Sequence, residues 1–247
     1  MNQENKQAGG VALVTGAARR IGEKIVRHLH QAGFDVVIHC HQSLTCASIL
    51  ADELNALRPF SACVLTADLR NEDEARGLIK TCVQWKHRLD LLVNNASVFI
   101  KTSADKGLWD ELMTLNVKAP FWLSEEAFDA LKAHKGSIIN ITDIHAEKPL
   151  KAYSLYCQTK AALKMQTEAF ARDYAPDVRV NAVAPGAILW PEKDNHLSDD
   201  IKVQIINETP LKRHGDPKWI AHAVCFLAKN QFITGQTLRV DGGRSLV

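Results

Sequence analysis

Val11-Ala12-Leu13-Val14-Thr15-Gly16-Ala17-Ala18-Arg19-Arg20-Ile21-Gly22 decides the fold. Its first five residues are an apolar run too short for a helix and closed by a glycine, which reads as a buried parallel strand. The segment after Gly16 is amphipathic, with Ile21, Ile25, Leu29 and Ala32 on one helical stripe. Gly33 closes that helix. Strand, glycine turn and helix in succession are the context that a phosphate-binding turn requires. Gly16 allows the tight turn, and the helix start offers free N–H groups and a positive dipole end to a pyrophosphate. The bare motif also fits any strand joined to any helix by a glycine turn.

The same rhythm continues along the chain. Residues 35–39, 63–67, 89–93, 137–142, 178–183 and 236–240 read as six further strands. Helical segments over Leu44–Leu57, about 72–85, about 104–133, about 151–174 and Pro217–Lys229 separate them. Seven strands with helices between them predict an α/β fold: a doubly wound, seven-stranded parallel sheet in one domain over 9–247. In such sheets, ligands bind beyond the carboxyl ends of the strands.

Residues with chemical potential fall at those ends. The second strand is followed by His39-Cys40-His41-Gln42-Ser43, with no carboxylate. An acid there would bond an adenosine ribose and select NAD; a hydroxyl and two imidazoles suit a 2′-phosphate, and so NADP. Ser43 is equally placed to cap the following helix. The third strand ends at Asp68-Leu69, and Asn71 can cap the next helix. Asn94-Asn95-Ala96-Ser97 follows the fourth strand, where two amides can bridge loops or serve plain turn chemistry. Phe99 is a loop anchor or a stacking face for a flat ring, and core packing is the better reading from composition. Asn116 lies mid-helix, where an amide is locally unfavourable, so it is either there for a specific hydrogen bond or a tolerated polar residue. Asp143 follows the fifth strand, and Tyr156 and Lys160 lie four apart on one helix face. A phenol is a poor acid at neutral pH, and a neighbouring ammonium favours its anion, so the pair reads as a proton donor with its tuner or, taken alone, as a solvated helical pair. Residues 187–210, with Trp190, Pro191 and a polar run, break the β-α rhythm and are expected to form a mobile flap over the site.

Composition bounds the remaining classes. Of 247 residues, 46% are hydrophobic and 23% charged, with a formal net charge of +2. These values fit a globular enzyme and give no field for nucleic acid or an anionic membrane. No apolar run is long enough to span a bilayer. The polar start, 1–8, reads as a frayed tail without a signal core. The six cysteines form no C-x-x-C pair and read as buried or half-buried thiols in a reducing cytoplasm. No metal-ligand pattern is present.

Taken together, Thr15-Gly16-x3-Arg20-x-Gly22, Asn94-Asn95-Ala96, Asn116, Tyr156-x3-Lys160, Pro185-Gly186 and Asp241-Gly242-Gly243 resemble the short-chain dehydrogenase/reductase family, from about residue 8 to the C-terminus. The resemblance implies a single-domain Rossmann enzyme that uses NAD(P) and often forms a homotetramer. It implies that Tyr156 exchanges the proton, that Lys160 lowers its pKa and holds the nicotinamide ribose, and that Asn116 supports a proton relay. It places Gly16, Arg20, Ile21, His41, Ser43, Asp68, Leu69, Asn95, Ala96, Tyr156, Lys160, Pro185 and Gly186 along the cofactor.

Two departures narrow it. Arg20 stands where the family has a glycine, and Asp143 stands where it has the catalytic serine. Both, with Asn94-Asn95-Ala96-Ser97-x-Phe99 and His39-x-His41-x-Ser43, are similar to the pteridine reductase subgroup. That subgroup often has Arg where Gln42 stands here. The resemblance implies an NADPH-dependent reductase of a dihydropterin, an oxidised pterin or dihydrofolate. Arg20 would bridge cofactor phosphate and pterin, Ser97 would bond pterin or cofactor, and Phe99 would sandwich the pterin against the nicotinamide. Asp143 would donate a proton or bond the ring edge. A dihydromonapterin-type reductase, a 3-oxoacyl or carbonyl reductase, and a non-catalytic NADP-binding sensor are the alternatives. A sensor has no need of Tyr156, Lys160 and Asn116.

Overall fold

β1 (Val11–Val14) is central because all four of its side chains are buried. Ala12 and Val14 enter one apolar cluster, and Val11 and Leu13 enter the other. A strand buried on both faces is apolar at every position instead of every second one. A computed structural model of the chain describes residues 10–103, 107–191 and 197–247. Within them β2 (Asp35–Cys40), β3 (Ala62–Thr66), β4 (Leu91–Asn94), β5 (Ser137–Ile141), β6 (Arg179–Pro185) and β7 (Thr237–Val240) join β1 in one sheet.

The strand order is β3-β2-β1-β4-β5-β6-β7, and every pairing is parallel. Leu13 lies opposite Val37 on one side and Leu92 on the other. The chain builds outward from β1 to β3, then returns to lay β4 on the opposite flank of β1. The order therefore reverses between β1 and β4, and a crevice opens at their carboxyl ends.

Two helical layers cover the sheet. The described α-helices are α1 (Arg20–Gln31), α2 (Leu44–Leu57), α3 (Glu72–Lys86), α4 (Leu108–Met113), α5 (Ala119–Ala133), α6 (Ser154–Asp173), α7 (Asp199–Glu208) and α8 (Pro217–Lys229). α1, α2 and α8 pack on one face; α3, α5 and the C-terminal part of α6 pack on the other. α1 buries Ile25, Val26 and Leu29, and truncating one such leucine to alanine costs about 2–5 kcal/mol. The Asn71 side chain accepts from the Asp73 and Glu74 amides at the start of α3, and Gly33, at φ +104°, follows α1.

Several expectations shift. The single helix over 104–133 is divided: α4 and α5 are joined by a π-turn, Thr114–Lys118, that carries Asn116. Residues 104–106 lie outside the described ones. The helix expected from about 151 begins at Ser154, because Ala152 is left-handed at φ +67° and cannot extend a right-handed helix. Ser43 precedes α2 without a capping bond from its side chain. Cys46 is exposed, where a buried or half-buried thiol was expected; all six cysteines are free. The region 187–210 contains α7, which has no buried residue; 192–196 and the expected tail 1–8 lie outside the described residues. No described helix is long and apolar enough to cross a membrane.

Candidate active site

The turn after β1 is held by side chains from three strands. Thr15 Oγ1 accepts from the Asn95 and Ala96 amides, each at 3.0 Å. Asn95 Nδ2 donates to the Thr15 and Gly16 carbonyls at 2.8 and 3.1 Å. Asn95 therefore bridges the ends of β1 and β4, beyond simple turn chemistry. Gly16 sits at φ +60°, with a Cβ position only 3.0 Å from the Ala96 Cα; a side chain there would be strained and crowded. A Cβ on Gly22 would lie 2.4 Å from the Gly16 carbonyl oxygen.

His39 completes the turn. The Gly16 amide donates to its Nδ1 at 3.2 Å, so the ring proton is on Nε2, which donates to the Ala67 carbonyl at 3.1 Å. Burial pushes the imidazole down to about 4. The expectation of two imidazoles for a 2′-phosphate is corrected here. His39 is neutral, 2% exposed, and committed at both nitrogens to the backbone.

A cleft of about 510 Å³ opens over this turn. Gly16, Arg20, Ile21, His41, Ser43, Asp68, Leu69, Asn95, Ala96 and Ser97 all line it. Arg19 and Arg70 also line it. Sequence reading passed over both: Arg19 is a second cation in the glycine turn, while Arg70 carries no local signal. Arg19 precedes α1 and makes no capping bond with its side chain, so the first-turn amides of α1 have no side-chain cap from it. A helix start, close-packed glycines and basic side chains fit a dinucleotide phosphate.

Arg20 occupies the left-handed region at φ +58°. Its Nη2 donates to the Trp190 carbonyl at 3.1 Å, which links the glycine turn to the base of the 187–210 segment. Trp190 in turn lies 4.2 Å from the His214 ring.

The residues expected to handle the proton lie beyond β5 and in the first two turns of α6. Tyr156 donates its phenol hydrogen to Asp143 Oδ2 at 2.8 Å, and the His145 amide donates to Asp143 Oδ1 at 2.9 Å. Tyr156 is 4% exposed and Lys160 2%. Burial, and then the Asp143 charge, raise the phenol well above its ordinary value. This corrects the expectation of a phenol lowered by Lys160. The lysine Nζ donates instead to the Ile141 carbonyl at 3.0 Å and lies 5.7 Å from the centre of the Tyr156 ring. Burial lowers the ammonium to about 8, with Asp143 opposing.

Asn116 is a clamp. Its Oδ1 accepts from the Val98 amide at 2.9 Å; its Nδ2 donates to the Val98 carbonyl and to Thr159 Oγ1 at 3.0 and 3.1 Å. Thr159 donates to the Tyr156 carbonyl at 2.7 Å. The π-turn thus ties the loop after β4 to α6. Phe99 stacks on Tyr153 at 4.3 Å and meets Tyr156 edge-on at 4.8 Å. Tyr153, unremarked in sequence, covers one face of the ring expected to stack on a flat substrate. Pro185 ends β6, and the amide of the next residue, Gly186, donates to the Val240 carbonyl at 3.1 Å; neither lines the cleft over the glycine turn, and Ala187, His214 and Asp241 line a separate hollow. Among the described residues, no group of histidine, cysteine, aspartate or glutamate could hold a metal.

A family model described as enoyl-(acyl carrier protein) reductase matches residues 16–245. The 3-oxoacyl-[acyl-carrier-protein] reductase FabG of Staphylococcus epidermidis is 35% identical, over 94% of this chain and 97% of its own. Pteridine reductase 1 of Leishmania tarentolae is 33% identical, over 96% of each. Among solved structures, FolM alternative dihydrofolate reductase 1 from Brucella canis, complexed with NADP, superposes with a TM-score of 0.90 at 35% identity, covering 97% of this chain and 95% of that one. The Brucella suis protein, also in complex with NADP, gives 0.90 at 36%. On the span of that match and on relatives a third identical along nearly the whole chain, the protein belongs to the short-chain dehydrogenase/reductase family of oxidoreductases.

Proposed function

We propose that the protein is an NADPH-dependent pteridine reductase, acting on a dihydropterin, an oxidised pterin or dihydrofolate. The observation that carries this reading is the Tyr156–Asp143 hydrogen bond, in which a carboxylate stands where a carbonyl reductase of this family needs a hydroxyl. Reducing a C=N bond adds a hydride to carbon and a proton to nitrogen. NADPH, when bound, supplies the hydride. The chain supplies the rest.

Tyr156 holds the proton, since its raised pKa keeps the phenol neutral across the working pH range. Asp143 keeps that proton at a defined place and offers acceptor oxygens to the N–H edge of a pterin. Lys160, lowered to about 8, can resupply a proton near neutral pH from beside the Tyr156 ring. Arg20 joins the phosphate turn to Trp190, so binding at the turn also fixes the base of the substrate segment. The NADP complexes of the Brucella relatives support the coenzyme assignment.

The second reading is a 3-oxoacyl reductase, favoured by the 35% identity to the staphylococcal enzyme. Steady-state oxidation of NADPH with dihydrobiopterin, dihydrofolate and an acetoacetyl thioester distinguishes them. Turnover on a pterin is expected. Turnover on the thioester alone would establish the second reading, and binding of NADPH without turnover of anything would leave a sensor. We further propose a cytoplasmic homotetramer, supported by exposed Phe121 and Met165 on α5 and α6 and by Trp219 and Phe226 on α8. A monomeric mass by light scattering would exclude it.

A further inference from the structure

Arg70, four residues beyond β3, shares a rim with the segment after β2, where Gln42 is neutral. The rim where an adenosine would lie carries His41, Gln42 and Ser43 from one segment and Asp68 and Arg70 from another. Asp68 brings a negative charge to this rim: the His41 Nε2 is 3.8 Å from its Oδ2. Arg70 closes on it as a fork. Its Nε donates to Asp68 Oδ1 and Oδ2 at 2.9 and 3.1 Å, and its Nη2 donates to Oδ2 at 2.6 Å. The Arg70 amide adds a bond to Oδ1 at 3.0 Å. Glu74 and Glu111 are the other carboxylates nearby: Glu74 accepts from the Asp68 amide at 2.7 Å, and Glu111 lines the cleft. Among the described residues, Arg70 Nη1 donates to none.

We propose that Arg70 is a coenzyme-specificity residue. It cancels the Asp68 charge and adds a guanidinium to the rim, so the cleft accepts a 2′-phosphate although Gln42 is neutral. The geometry is specific to arginine, because only a planar fork can hold a carboxylate on one side and keep donors on another. The carboxylate is part of the device. Without Arg70 it opposes the phosphate; with Arg70 it fixes the cation in place. Arg70 is half-exposed, so the effect is screened and moderate.

This inference rests on the NADPH reading above, and coenzyme binding tests it without turnover. NADPH and NADH are titrated by fluorescence against the wild type, Arg70→Ala, Asp68→Asn and the double variant. Arg70→Ala is expected to weaken NADPH about tenfold and to leave NADH within about threefold. Adding Asp68→Asn to Arg70→Ala is expected to restore part of the loss, which a merely structural role would not produce. A wild type that binds the two coenzymes equally overturns the NADPH reading and this inference with it. A preference for NADPH that survives Arg70→Ala, or a loss shared equally by NADH, overturns the role of Arg70 alone.

Discussion

Tyr156 and Asp143 are thirteen residues apart in sequence, on α6 and beyond β5, and share one proton across 2.8 Å. The carboxylate does two things to the phenol. It fixes the hydrogen in one direction, and it makes the phenolate costlier by placing a second negative charge beside it.

Replacing Asp143 by Asn removes the charge and keeps the shape. Pterin reduction is expected to fall about 100-fold, the scale of a lost acid–base partner. Asp143 raises the phenol, so its loss lowers the phenol pKa. The alkaline limb of the kcat profile should therefore move to lower pH. An unmoved limb would separate the carboxylate from the proton donor.

Lys160 is buried at a cost. Its pKa falls on folding from an ordinary 10.5 to about 8, so above pH 8 the native state binds fewer protons than the unfolded one. Stability attributable to this group rises as pH climbs from about 8 to about 10.5, and the penalty is complete below 8. Lys160→Met is expected to be inactive yet more stable at pH 7, by about 1–3 kcal/mol. Denaturant titrations at pH 7 and pH 10 read both; a variant less stable at pH 7 would contradict the burial argument.

Arg20 stores backbone strain at φ +58°, a conformation costing a non-glycine residue about 1 kcal/mol. Arg20→Gly should raise the melting temperature by a few degrees and lose pterin turnover through the broken contact to Trp190. A destabilised Arg20→Gly would show that the contact outweighs the strain.

His39 sets an acid limit. Its pKa falls from 6.5 to about 4 on folding, so the unfolded chain binds the extra proton between those values and stability declines as pH drops through them. His39→Asn should be less stable than wild type at pH 7, by about 1–2 kcal/mol for two lost backbone bonds, and should show a shallower decline to pH 5. Urea midpoints at the two pH values give the comparison, and parallel declines would exonerate the histidine.

The sheet was legible because periodicity is local. A strand buried on both faces is apolar throughout, a helix repeats every 3.6 residues, and glycines stand where a turn has no room for a side chain. Val11 to Gly22 therefore carried its own strand, turn and helix. Asn116 was legible in the same way, as an amide out of place in a helix, although the π-turn around it was not.

What the linear chain could not contain were distances between residues far apart in it. The roles of His39 and Lys160 followed from what surrounded them after folding. An imidazole expected to meet phosphate was instead consumed by Gly16 and Ala67, and an ammonium expected to lower a phenol was taken by Ile141. Phe99 and Tyr153 met only because a loop folds back on α6. Arg70 reached the same cleft rim as His41 because β2 and β3 are neighbours in the sheet. Sequence by itself determined the elements, their alternation and the edge of the sheet that gathers the polar residues, since short-range sterics and burial dictate these. Only the tertiary structure decided which charges meet, which are neutralised and which proton sits where, because electrostatics depends on separation in space and on the water excluded when the chain packs.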